Sequence, residues 1–141
     1  MENILRLLEE KNEHLNRFYA LNEIELIHFV EGNFDNLEAF YNSRESILDL
    51  IRCIDRLIEH SSQSDSESSV IDENLKNKVS TLLKKKNDVV NKILAQDLQI
   101  ISVLETTKSN LIKELSQIKV ARRAVRAYGE KGLDKNLDEK I

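Results

Sequence analysis

The sequence predicts an all-α protein, an antiparallel bundle of a few long helices. The chain of 141 residues contains no proline and only three glycines, at positions 32, 129 and 132. Proline removes a helical hydrogen bond and glycine costs about 1 kcal/mol in a helix interior, so their scarcity favours long, uninterrupted helices. Apolar residues also recur at steps of three, four and seven, which is the spacing of one helix face.

The first helix is predicted over about 3–31. Its apolar row consists of Ile4, Leu8, Leu15, Phe18, Leu26 and Phe29. Gly32 follows, and glycine readily adopts the left-handed conformation that ends many helices. Asn33 suits the N-cap of the next helix, because a side-chain oxygen there accepts a hydrogen bond from a free backbone amide.

The second helix is predicted over about 34–60, with Arg44 and Asp55 interrupting its apolar rows. These rows consist of Leu37, Phe40, Tyr41, Ile47, Leu48, Ile51, Ile54, Leu57 and Ile58. The segment 61–69 that follows contains only serine, glutamine and acidic residues. Because such a segment has no apolar side chain to bury, it is predicted to be a flexible linker.

The third helix is predicted over about 70–128. Its apolar row consists of Leu75, Val79, Leu82, Val89, Ile93, Ile100, Leu104, Leu111, Leu115, Ile118 and Val125. Thr, Ser and Asn cluster at 106–110, and these residues are poor helix formers, so any kink or break of the third helix is expected there. The charged segment 129–141 is predicted to be a loosely ordered C-terminal tail.

The three helices are predicted to pack into one bundle domain over 1–128, because an amphipathic helix buries its apolar row only against another element. The first two helices either fold back on each other at Gly32 or run nearly end to end along the third. Their summed length is close to that of the third helix, so length does not distinguish the two arrangements.

The composition excludes several classes of function. The net charge of −4 opposes general nucleic-acid binding, which requires a basic surface. Cys53 is the only cysteine, so no disulfide forms within the chain and a reducing compartment is expected. The first residues are not a basic signal-peptide head, and no apolar run approaches the ~20 residues of a membrane span. A soluble cytoplasmic protein without membrane insertion is expected.

No residue pattern in the sequence predicts an enzyme site, a metal site or a cofactor. His14, His28 and His60 lack metal-ligand spacing to one another and to Cys53, and no glycine-rich phosphate loop is present. Catalytic residues, cofactor and metal are therefore all expected to be absent.

One enzyme alternative remains open at this point. The segment 52–55, Arg-Cys-Ile-Asp, faintly resembles the all-helical chorismate mutases. Such an enzyme needs several cations converging on a dicarboxylate, and Arg44, Arg52 and Arg56 are the candidates. The simpler interpretation of these arginines is charge pairing along a helix surface.

A basic stretch lies near the end of the third helix. Residues 119–126 carry Lys119, Arg122, Arg123 and Arg126 and no acidic side chain. Cations are favourable near a helix C-terminus by about 0.3–1 kcal/mol each, which is one explanation. The other is a docking surface for an acidic partner, since unpaired charges accelerate encounter.

Two segments resemble a known family. Residues 32–37, Gly-Asn-Phe-Asp-Asn-Leu, lead into Arg-Glu-Ser-Ile-Leu at 44–48. Near the other end, Glu-Leu-Ser-Gln-Ile at 114–118 precedes two arginines and Ala-Tyr-Gly at 127–129. Together they resemble the flagellar type III export chaperones of the FliT and FlgN type, and FliT more closely.

The resemblance implies a small, ATP-independent, cytoplasmic chaperone. It would bind a late flagellar subunit, a filament-cap or hook-junction protein, through its C-terminal helix and deliver it to the export gate. The client-binding residues would be Leu111, Leu115, Ile118 and Val125. Tyr128 matches the family's tyrosine that docks on the cytoplasmic domain of the export gate, and the arginines near it are assigned to the same docking: Arg122, Arg123 and Arg126.

The serine-acidic linker and the length of the third helix depart from the compact family members, which leaves the subtype and the client open. The main alternative is a structural or adaptor coiled coil that self-associates through its apolar rows. A homodimer is compatible with both interpretations.

Overall fold

Three α-helices make up the fold of the residues that the structure describes. The computed structural model describes residues 2–65 and 72–140, and the side chains of 2–63 and 72–129. The helices are α1 (Glu2–Val30), α2 (Leu37–Asp65) and α3 (Glu73–Lys140), and the described residues contain no strand. The all-α prediction is confirmed. The chain forms two compact units, Met1–Ser102 and Val103–Ile141, and α3 contributes residues to both.

The second and third helices differ from their expected bounds, and the third begins at Glu73 instead of 70. The second helix begins at Leu37 instead of 34 and continues to Asp65, into the segment predicted as a linker. The rest of that predicted linker, 66–69, lies outside the described residues. The third helix continues through Lys140, so its backbone is helical in the segment predicted as a loosely ordered tail.

The expected break at 106–110 is wrong, because α3 is helical throughout this segment. Thr, Ser and Asn are poorer helix formers than alanine, but each costs at most about 0.7 kcal/mol. Good helix formers on both sides, such as Leu104, Glu105, Leu111 and Lys113, outweigh so small a penalty.

The turn between α1 and α2 depends on Gly32, which has a φ of 83°. The Gly32 amide donates to the Phe29 carbonyl at 3.0 Å, and the Asn33 amide donates to the His28 carbonyl at 2.8 Å. This is a Schellman motif, and it confirms Gly32 as the residue that ends the first helix. The Asn33 Oδ1 accepts a hydrogen bond from the Asp35 amide at 3.1 Å, which stabilises the turn ahead of α2.

The chain folds back at Gly32, so α1 and α2 are an antiparallel pair. Lys11 Nζ lies 2.7 Å from Asp55 Oδ1 near one end of the pair. Near the other end, the ring centroids of Phe29 and Phe40 are 5.3 Å apart. The end-to-end arrangement is thereby excluded.

Residues of α3 within the first unit run parallel to α1. The Asn12 side-chain amide donates to the Leu82 carbonyl at 3.1 Å, and Gln96 Nε2 donates to the Tyr19 carbonyl at 3.1 Å. The contact positions rise together along the two helices, whereas they fall between α1 and α2. The first unit is therefore an up-down-up three-helix bundle.

The core of this bundle receives buried apolar side chains from all three helices, as the apolar rows predict. One cluster contains Leu15, Phe18, Ile47, Ile51, Val89 and Ile93. Three residues of the rows expected in α2 are exposed instead, Leu37 by 38%, Tyr41 by 63% and Leu57 by 49%. The inward face of α2 is the neighbouring row that begins at Phe40. Cys53 is exposed on the same helix.

Within residues 2–65 and 72–140, no helix combines the length and the apolar character needed to cross a membrane.

Replacing each of two glycines with alanine is expected to change stability in opposite directions. Gly32→Ala places a Cβ on a left-handed backbone and should lower the free energy of unfolding by about 1 kcal/mol, although nothing lies within 4 Å of that Cβ. Gly129 is helical, so Gly129→Ala should raise the helix content of α3, by up to about 1 kcal/mol of helix propensity. Urea unfolding and circular dichroism measure the two effects, and the same sign at both sites would contradict this assignment of backbone conformations.

Candidate partner-binding face of the third helix

Four of the predicted site residues form one exposed apolar row in the second unit. Leu111 is 53% exposed, Leu115 57%, Ile118 47% and Val125 70%. Their spacings of four, three and seven residues place them on a single face of α3. We call these four residues the apolar row. Contiguous apolar surface left in water is characteristic of interaction sites.

A shallow depression of about 370 Å³ lies at the C-terminal half of the apolar row. It is lined by Ile118, Ala121, Arg122, Val125 and Arg126. The methylene stems of arginine cover apolar surface while the guanidinium groups stay in water. The depression therefore offers an apolar floor to a partner side chain and two cationic groups at its border.

The charge of this helix segment is strongly asymmetric. Residues 103–129 contain six Lys and Arg against two Glu, and 115–129 contain four basic residues and no acidic one. Among the described side chains, those four basic residues make no ion pair or hydrogen bond. They are therefore available to a partner.

The basic residues follow one edge of the apolar row. With about 100° of rotation per residue, Lys108, Lys119 and Arg126 lie on the same flank of the row, and Arg122 lies within it. Glu114 lies on the opposite flank. The face therefore has an apolar centre, one cationic edge and one edge with a single carboxylate.

Tyr128 is 79% exposed but does not lie on the same face as the arginines. Helical rotation places it more than about 100° from each of Arg122, Arg123 and Arg126. Arg122 and Arg126 therefore lie at the apolar row, and Arg123 lies beyond the basic edge. Tyr128 lies on the side of the helix away from that edge. Tyr128 lies about 60° from Val125, three residues earlier, so it flanks the end of the row on the edge opposite the basic residues.

A buried polar cluster in the first unit is not anticipated by the sequence analysis. Asn22 is fully buried and its Nδ2 donates to Gln96 Oε1 at 3.1 Å and to Asp97 Oδ1 at 3.2 Å. Gln96, itself 4% exposed, donates to Glu23 Oε1 at 2.7 Å. Arg44 donates to Asp97 Oδ1 at 3.1 Å, so the cluster joins all three helices.

The signal for this cluster is present in the sequence as polar residues at core positions. Asn22 follows Phe18 by four residues and precedes Phe29 by seven, which places an amide among the inward-facing apolar residues of α1. Gln96 stands between Ile93 and Ile100 in the same way. A polar residue inside an apolar row predicts a buried hydrogen-bond partner on a facing helix.

Arg44 also contacts two aromatic rings. Its surroundings differ from those of Arg52, the next arginine considered for a mutase-like site. Its guanidinium carbon lies 4.8 Å from the Phe18 ring centroid and 5.2 Å from that of Phe40. Arg52, by contrast, is an exposed side chain paired with Asp49 at 2.8 Å. Of the arginines considered for a mutase site, Arg44 faces the core and Arg52 faces solvent, so these two do not converge.

Metal-ligating side chains do not cluster in the part of the chain that the structure describes, where no three His, Cys, Asp or Glu residues could hold one ion.

In comparisons with known proteins, no family model, no curated protein and no solved structure matches the chain.

Proposed function

We propose that this chain is a cytoplasmic flagellar export chaperone. It binds a late flagellar subunit, a filament-cap or hook-junction protein, along the apolar row of α3 and delivers it to the type III export gate. The observation that carries the proposal is the exposure of this row, since Leu111, Leu115, Ile118 and Val125 are each about half exposed or more. The sequence resemblance of 32–48 and 114–129 supplies the class of client.

The apolar row fits the helix-in-groove mode of recognition. In that mode an amphipathic helix places apolar residues spaced by three, four and seven against a complementary apolar surface. The row extends over 14 residue steps, or about 21 Å at 1.5 Å per residue. A client segment that covers it removes apolar area from water, which is the main source of favourable free energy in such complexes.

Delivery to a second partner requires a contact that the client leaves free. Tyr128 is the candidate, because it is 79% exposed and lies three residues beyond the last member of the row, on the edge opposite the basic residues. The sequence resemblance of 127–129 assigns Tyr128 to the export gate, and its exposure is compatible with that contact. Arg122 lies within the apolar row and Arg126 lies at its edge, so both would serve the client, whereas Arg123 lies beyond the basic edge, away from both the row and Tyr128.

Client binding is tested by capture of partners from a lysate of a flagellated bacterium that encodes this chain. Ile118→Asp places a charge in the centre of the apolar row and is expected to abolish recovery of the flagellar client. The matched control is Leu98→Asp, which introduces the same charge at a leucine of the first unit that is 70% exposed. Mass spectrometry of the captured proteins should show the client with the wild type and with Leu98→Asp only.

The gate assignment is tested in the same experiment with Tyr128→Ala. This variant should retain the client and lose the export-gate protein, because an exposed tyrosine contributes to a contact and not to the core. Recovery of no flagellar subunit by the wild type would contradict the proposal. Self-association alone, measured by analytical ultracentrifugation, would favour the structural coiled coil.

A further inference from the structure

The chemistry of the segment that covers the apolar row follows from the charges around the row. This inference rests on the proposed function, because it concerns the same client-binding face. A partner must bury the four apolar side chains and also satisfy the cations at their edge. Charges left unpaired in a newly formed interface weaken it, so the charge pattern restricts which partners fit.

A second copy of this helix is a poor occupant of the row. In an antiparallel pair of identical helices, the edges with Lys119 and Arg126 face each other, and like charges repel. In a parallel pair, the two Arg122 side chains meet within the apolar row. Between 115 and 129 no carboxylate is present to compensate either contact.

A partner helix with acidic residues satisfies all of these groups. Lys119 and Arg126 are seven residues apart, so two carboxylates with the same spacing on a partner helix align with both. Arg122 lies within the row and lines the depression with Ile118 and Val125, where a closing partner would exclude water. An arginine–carboxylate pair formed there gains from its fork geometry and its apolar surroundings.

We infer that the partner is an acidic amphipathic helix, whose apolar stripe covers Leu111 to Val125 and whose carboxylates, seven residues apart along one edge, pair with Lys119 and Arg126. A third carboxylate near its stripe reaches Arg122. The cationic edge sets the direction in which the partner lies on α3, because reversing the partner moves its acidic edge to the side of Glu114.

The inference is tested with three synthetic helical peptides that share one leucine stripe and differ only along one edge. The edge carries Glu in the first peptide, Gln in the second and Lys in the third. The Glu peptide should bind the full chain at least about tenfold more tightly than the Gln peptide at low salt, and the Lys peptide should bind most weakly. The Glu preference should shrink in high salt, because exposed charges are screened there.

A charge-reversal variant locates the effect. Lys119→Glu with Arg126→Glu should invert the order, so that the Lys peptide binds most tightly. The control is Lys84→Glu with Lys113→Glu, which changes the net charge equally but lies off the basic edge, and it should keep the original order. Circular dichroism verifies that both variants retain their helix content.

The possible failures are distinguishable. Equal binding of all three peptides, abolished by Ile118→Asp, overturns the acidic-partner inference and leaves the row as a helix-binding face. Binding of none of them, or formation of a dimer by the chain itself, overturns the inference together with the assignment of the row to a client helix. Failure to recover a flagellar subunit from the lysate concerns the proposed function alone.

Discussion

Phe29→Ala is expected to lower the free energy of unfolding by about 3–5 kcal/mol, the range observed for truncation of a buried phenylalanine. Phe29 is only 1% exposed. Its ring stacks on Phe34 at a centroid distance of 5.4 Å and meets Phe40 edge-on at 5.3 Å. The substitution therefore removes the central ring of the cluster that holds the turn between α1 and α2 in place.

Urea unfolding followed by circular dichroism measures this loss. Domains of this kind are stable by about 5–15 kcal/mol, so the variant should lose a large part of its stability. Tyr41→Ala is the matched control, because this aromatic residue of α2 is 63% exposed and should change stability by less than about 0.5 kcal/mol. Similar losses at both positions would contradict the buried position of Phe29.

Asn22→Asp is expected to lower the free energy of unfolding by about 3–5 kcal/mol at neutral pH, although the two side chains have nearly the same shape. The fully buried Asn22 Nδ2 donates to Gln96 Oε1 and to the carboxylate of Asp97. After the substitution an oxygen faces both acceptors, and a second negative charge is buried beside Asp97. Arg44 already donates to Asp97 and offsets only part of this repulsion.

The loss should depend on pH in a defined direction. Burial and the nearby Asp97 raise the pKa of the introduced carboxyl in the folded state above its unfolded value of about 4. The folded state then binds more protons, so the destabilisation is small below about pH 4 and grows as the pH rises towards the folded-state pKa. Unfolding measured from acid to neutral pH tests this slope.

Asn22→Leu is the control for the charge. It removes the same hydrogen-bond donor and should cost about 1–3 kcal/mol, but it adds no titratable group. The difference in stability between this variant and the wild type should therefore stay nearly constant with pH. Parallel pH profiles for the leucine and aspartate variants would show that the buried charge is not the cause.

The fold class and most of the core could be predicted from the sequence, because both depend on spacing. The absence of proline and the period of the apolar residues predict long helices, and Leu15, Phe18, Ile51 and Ile93 are buried as their rows indicate. Gly32 was identified as the end of α1 because few other residues adopt its φ readily. The fold-back at Gly32 could not be derived, since helix lengths are compatible with both arrangements.

The helix propensities of single residues predict the structure less well than the spacing of the apolar residues does. The cluster at 106–110 was expected to break α3, but the cost per residue is small and the helix continues. Adjacent rows on one helix are also hard to separate: Phe40 and Tyr41 project about 100° apart around α2, and each belongs to a row of apolar residues. Tertiary packing determines which of the two rings faces the core, and a single sequence does not reveal that packing.

The sequence indicates which residues are candidates for the site, but not which side of α3 each of them occupies. Spacing alone placed the residues of the apolar row on one face, and their exposure is a property that only the structure supplies. Tyr128 was grouped with the arginines because they are close in sequence, yet helical rotation separates them. The roles of these residues in client and gate binding stay predictions.

The connections between the three helices of the first unit also determine the order in which the chain can fold. Phe29 and Phe40 are only 11 residues apart in sequence, and they meet across a short turn. Asn12 and Leu82, or Tyr19 and Gln96, are 70 and 77 residues apart. Such distant pairs carry the larger entropic cost of loop closure, so we expect α1 and α2 to pair first and α3 to join last. During synthesis on the ribosome, one apolar side of the α1–α2 hairpin therefore stays exposed to water. It is fully covered only after Ile100, a buried residue of α3, has emerged.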